Sequence, residues 1–144
     1  VRILFDTSVL VAAMVEAHPG HGLALPWLQR VKDGTDNGVV AAHSLAELYA
    51  VLTTLPIRPL IRPTTAQQLI KRNVLDIFEV VYLSDEDYTA VIDHLSSLGI
   101  VGGATYDALI LHAALKTDVE QVVTLNEKDF RRIHPGLADR IVSP

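Results

Sequence analysis

Short, continuously apolar runs alternate along the chain with longer stretches whose apolar residues recur every three or four positions. RILF (2–5), GVVAA (38–42), EVVYL (79–83) and QVVTL (121–125) are of the first kind and predict buried strands, with RIV (140–142) a candidate fifth. TSVLVAAMV (7–15), LALPWLQRVKDG (23–34) and TTAQQLIKRNVLDIF (64–78) read as helices. So does HSLAELYAVLTTL (43–55), with apolar residues at 45, 48, 49, 52 and 55. Ser84 opens another helix, with Asp87 placed for a capping box, and that helix stops at Gly99. A helix over about 105–117 and a short one in NEKDFRRI complete the set. The three prolines of LPIRPLIRP (55–63) make a stiff loop. Short buried strands separated by helices predict an α/β fold, a parallel sheet with helices on both faces.

No repeat, low-complexity tract or linker divides the 144 residues, which predicts a single domain over 1–144. Hydrophobic residues at 49% and charged residues at 20% describe a chain that buries a core. Cysteine is absent, so disulfides and thiolate metal sites are excluded, and a cytoplasmic setting is expected. The apolar N-terminal stretch is broken by Arg2 and Asp6 and reads as strand and helix, not as a signal peptide. No apolar run reaches the roughly 18 residues of a membrane span. The net charge of −5 argues against a phosphate-rich partner unless acids gather around a cation.

That exception fits the placement of four acids. With all strands pointing one way, residues just after a strand share its carboxyl edge with the starts of the helices that run back. Asp6 follows the first strand, Glu47 falls in the first turn after the second, and Asp107 opens the helix leading to the fourth. Asp129 lies just beyond the fourth strand. Ligands bind at this edge in open α/β sheets. Each acid also has an ordinary reading. Asp6 could cap its helix, and Glu47 could complete a capping box with Ser44 in SLAE. Asp107 could complement the helix dipole, and Asp129 could be a surface acid beside a cap at Asn126. Together they favour a cluster that a hard divalent ion stabilises. SDED (84–87) also follows a strand but reads as helix-start charge.

ILFDTSVLVAA, SLAELYAVLTTLP, GGATYDALILHAAL and VVTLNEKDF occur in an order and at intervals that resemble PIN domains, above all VapC-type toxins of bacterial toxin–antitoxin pairs. The resemblance spans residues 2 to about 142. It implies a three-layer α/β/α sandwich, a mostly parallel five-stranded sheet of order 3-2-1-4-5, and a ribonuclease site. The family's acids fall on Asp6, Glu47 and Asp107, and the fourth on Asp129 with Asn126 alongside. Thr7 and Ser8 are expected to support those carboxylates. Mg²⁺ or Mn²⁺ would activate water for in-line attack on an RNA phosphodiester, leaving a 5′-phosphate and a 3′-hydroxyl. A cognate antitoxin and a homodimer are implied as well, with Arg58 and Arg62 as candidate contacts to RNA or antitoxin. Two other classes compete: a non-catalytic PIN-like module binding RNA or protein, and a phospho-accepting signalling domain, which would place a lysine after a late strand. His18 and His21, three apart across Pro19-Gly20, do not make a metal site on spacing alone. Trp27 and Tyr49 fit core or interface positions better than base stacking.

Overall fold

The computed structural model describes all residues 1–144. Five strands form one sheet: β1 (Arg2–Phe5), β2 (Asn37–Ala41), β3 (Glu79–Val81), β4 (Gln121–Val123) and β5 (Ile141–Val142). Their order is 3-2-1-4-5 and every pairing is parallel, so the sheet is wholly rather than mostly parallel. Each strand is short and flanked on both faces, which is why it reads as a run instead of an alternation.

Seven α-helices connect the strands. Helices α1 (Thr7–Met14) and α2 (His21–Lys32) join β1 to β2, and α3 (Ala42–Thr54) and α4 (Pro63–Ile70) lead on to β3. Helices α5 (Asp85–Leu98) and α6 (Ala104–Thr117) carry the chain to β4, and α7 (Glu127–Ile133) precedes β5. The pleat divides successive strand residues between two cores. Ile3, Phe5, Val40 and Val123 join α1 to α4 on one face. Leu4, Val39, Ala41 and Val122 join α5, α6 and α7 on the other. The result is the three-layer α/β/α sandwich. Helix α1 buries Val9 through Ala13 in succession, so it is packed all round.

Three local expectations are revised. The helix expected over 64–78 is α4 followed by a π-helical turn, Lys71–Leu75, with Ile70, Val74 and Phe78 in one core. Helix α3 begins at Ala42, straight out of β2, so Ser44 is not its cap; its hydroxyl is buried and unpartnered, and the Ser44–Glu47 capping box does not form. Glu47 therefore lies in the second turn of α3, one turn beyond His43. By contrast, the box at Ser84 and Asp87 forms in both directions, at 3.2 and 2.8 Å.

Because β1 lies between β2 and β4, the connections leave it towards opposite halves of the sheet. The carboxyl end of β1 is thus the switch point of the topology, where side chains from both halves can meet.

Candidate active site

Asp6 continues β1 by one residue. Its backbone N–H donates to the Val123 carbonyl at 3.0 Å, so the carboxyl edges of β1 and β4 are tied together at this residue. It occupies the N-cap position of α1, yet its side chain caps nothing. Instead Oδ2 accepts hydrogen bonds from Ser8 Oγ (2.6 Å) and Thr124 Oγ1 (2.8 Å). Both hydroxyls also accept from the chain leaving β4, Ser8 from Leu125 N–H (3.1 Å) and Thr124 from Asn126 N–H (3.0 Å). Asp6 is 3% exposed, and burial pushes its carboxyl above the ordinary value despite these hydrogen bonds.

Glu47 approaches from α3. Its Oε1 accepts from Thr7 Oγ1 at 3.4 Å and lies 3.3 Å from His43 Nε2. Burial pushes it up, His43 holds it down and Asp6 pushes it up again. Asp107, in the first turn of α6, is half-buried and pushed up to about 7, first by burial and then by the charges of Asp6, Glu47 and Asp129. Asp129 sits in the first turn of α7, exposed to solvent, and it acts on Asp107 across the cleft mouth. Asn126, at the N-cap position of α7, lines the cleft while Asp129 does not.

The cleft measures about 280 Å³. Asp6, Thr7, Ser8, Glu47, Asp107 and Asn126 make its polar side, and Val11, Val51 and Leu55 its apolar wall. No lysine or arginine lines it. Elsewhere in the molecule several acids beside hollows are paired: Asp36 with Arg30 (2.7 Å), Glu79 with Arg2 (2.7 Å) and Asp76 with Lys71 (2.9 Å). In the cleft only Glu47 has a basic neighbour, and that neighbour is a histidine.

Burial raises the proton affinity of Asp6, Glu47 and Asp107, and neighbouring carboxylates raise the last two further; with no Lys or Arg between them, the group fits a cation. The donor set is all oxygen, which suits a hard divalent ion. No three Asp, Glu or His side chains stand close enough to enclose an ion by themselves. That spread is compatible with Mg²⁺, which keeps several waters and needs only one or two carboxylates directly.

The structure thus brings Asp6, Thr7, Ser8, Glu47, Asp107 and Asn126 to one place, with Asp129 at its mouth. Arg58 and Arg62 are exposed on the loop that starts at Leu55, make no ion pair and do not line the cleft. Asp87, in SDED, is engaged by Lys116 (2.7 Å) and His112 (2.9 Å), away from the cleft. His18 lines the cleft, but its Nδ1 accepts from Gly20 N–H (2.9 Å), while His21 Nδ1 donates to the Ala12 carbonyl (2.9 Å), so both serve the local turn. Sequence reasoning missed Thr124 altogether. The available signal was a polar residue ending an apolar strand, in the position where Asp6 ends β1.

Residues 3–134 match the PIN domain family. The chain is 39% identical over 108 residues to "Ribonuclease VapC40" of Mycobacterium tuberculosis, covering 73% of this chain and 72% of that protein. It is 30% identical over 115 residues to "Ribonuclease VapC27" of the same organism, covering 80% and 78% respectively. Among solved structures, VapBC2 from Rickettsia felis, bound to a DNA fragment of its promoter, superposes with a TM-score of 0.67. At 20% identity, that match covers 100% of this chain and 98% of the other. Strand order, acids at the switch point and these matches agree: the chain belongs to the PIN domain family.

Proposed function

We propose that the protein is a metal-dependent endoribonuclease, the toxin of a toxin–antitoxin pair, that hydrolyses RNA phosphodiester bonds with Mg²⁺ or Mn²⁺. The observation that carries this reading is the cleft at the switch point. It gathers carboxylates whose proton affinities are raised by burial and by one another, without a lysine or arginine to offset them. A domain that only bound RNA or protein would gain nothing from this repulsion. The two relatives named as VapC ribonucleases support the activity. The toxin–antitoxin name of the Rickettsia felis complex supports an antitoxin as partner. A homodimer and a cytoplasmic setting belong to the same reading; no helix is long and apolar enough to cross a membrane.

Asp6, Glu47, Asp107 and Asp129 would hold the ion, with Asn126 offering its carbonyl. When bound, a divalent ion supplies Lewis-acid activation of water and offsets charge on the phosphate and on the leaving oxygen. The chain's own contribution is orientation. Ser8 and Thr124 fix the Asp6 carboxylate through Oδ2. Thr7 and His43 hold Glu47 towards the cleft. Asp107, pushed up to about 7 while the cleft holds no ion, must give up its proton to hold one. No side-chain nucleophile is required.

The test is cleavage of structured transfer and ribosomal RNAs by wild type and Asp6→Asn, with Mg²⁺, Mn²⁺ or EDTA. Cleavage that needs the ion and falls by at least about a hundredfold in the variant is expected. Intact RNA from folded, metal-binding, antitoxin-free protein would leave the binding-module reading in its place.

A further inference from the structure

Two aromatic rings stand beside the acid cluster: His43, which holds Glu47, and Tyr106, which takes no part in the chemistry above. Tyr106 immediately precedes Asp107, and His43 lies one helical turn before Glu47. The rings stack parallel, 2° apart with centroids 5.1 Å apart. An aromatic rung therefore runs alongside the carboxylate rung formed by Glu47 and Asp107, joining the same two helices, α3 and α6. Tyr106 remains 52% exposed although His43 covers one face, and its hydroxyl makes no hydrogen bond within the chain. His43 is held in turn by Glu47, 3.3 Å from its Nε2.

We propose that Tyr106 is a stacking platform for an unpaired base of the RNA next to the cut, with His43 as its backing. The inference rests on the nuclease reading and deepens it: the substrate presents a single-stranded nucleotide at the site. Three features point this way. The ring is flat, open on one side and pre-positioned, so little side-chain entropy is lost when a base lands on it. Base–aromatic stacking tolerates any of the four bases. A cleft with no lysine or arginine, on a chain of net charge −5, attracts a polyanion poorly and needs binding energy from uncharged contacts. Tyr106 and Asp107 are adjacent in the first turn of α6 and their side chains leave the helix about 100° apart, so the ring flanks the acid. Within one strand of RNA, a base is joined to the adjacent phosphate by its ribose alone.

The experiment is a cycle of protein and substrate changes on one cleaved RNA. Tyr106→Ala should lower kcat/KM roughly tenfold or more, and Tyr106→Phe should restore most of it because the ring carries the contact. Removing the base beside the cut, as an abasic ribonucleotide at either flank in turn, should cost wild type a similar factor at one flank. The same abasic RNA should cost Tyr106→Ala little further, because the partner is already gone. Fully additive losses, or a Tyr106→Ala enzyme as active as wild type, would overturn the platform while leaving the nuclease standing. If wild type leaves every RNA intact, the nuclease reading fails separately. The platform is then judged by quenching of 2-aminopurine in single-stranded RNA: quenching lost in Tyr106→Ala keeps it, and equal quenching in both proteins removes it.

Discussion

Thr124 shows how much a single hydroxyl can control. It is fully buried, donates to Asp6 and accepts from the Asn126 N–H, so it couples a cleft acid to the backbone that begins α7. Thr124→Val keeps the shape, leaves the Asn126 N–H without its acceptor and leaves Asp6 with Ser8 as its one side-chain donor. We expect a loss of about 1–3 kcal/mol in stability by urea denaturation. Metal affinity should fall by about 10- to 100-fold, read by titration with Mn²⁺. A variant with native metal affinity would show that Ser8 alone orients Asp6. Asp107 gives a prediction in pH. Its proton affinity in the folded state is raised from 3.8 to about 7, so folding takes up protons between those values. Its contribution to stability is therefore complete below about pH 4 and is lost as pH rises through 7. Without metal, Asp107→Asn should exceed wild type in Tm at pH 8, with the gap closing towards pH 4. Comparing the two proteins cancels His134, whose proton affinity is lowered by burial and which acts with the opposite sign. A constant gap across pH would show that Asp107 is charged throughout.

Among the elements, β2 depends on a residue without a side chain. A Cβ on Gly38 would stand 2.5 Å from the Phe78 ring and 2.8 Å from Val31 Cγ1. Phe78 cannot easily withdraw, because its ring meets Phe5 edge to face at 5.1 Å and 90°. Gly38→Ala should destabilise by about 1–3 kcal/mol in urea, although alanine suits a strand better than glycine. An unchanged midpoint would mean that Phe78 has somewhere to go. The start of α3 shows an element boundary misread from the chain. SLAE has the form of a capping box, but β2 runs directly into the helix and Ser44 is committed to the interior. The local pattern lost to packing. That shift moves Glu47 into the second turn, where it can meet His43 at a spacing of four.

At the scale of the whole molecule, the cleft draws on both halves of the sheet, so an ion bound there links β1 and α3 to α6 and α7. Such an ion would bind only the folded chain, and stability would then rise with its concentration. At a hundred times its Kd, Mn²⁺ should add about 2.7 kcal/mol and raise Tm by a few degrees. The rise should be larger at pH 8 than at pH 5, since the raised carboxyls must first lose their protons. Asp6→Asn should abolish most of it. Equal shifts in wild type and variant would locate the ion elsewhere.

The chain's apolar runs and their spacing determined the strands, most helices and the α/β class, because burial on both faces leaves a mark on every strand. They also determined that Asp6 and Asp107 lie at one edge, since parallel strands allow only one. Family motifs added the strand order. Tertiary structure alone decided which polar groups meet. Thr124 is 118 residues from Asp6 in sequence, and no local pattern announces their hydrogen bond. The stack of His43 on Tyr106 depends on how α3 and α6 converge across the switch point, and so does the shared field that pushes Asp107 to about 7. Periodicity reports which way a residue faces; distance between residues far apart in sequence is set only when the layers close.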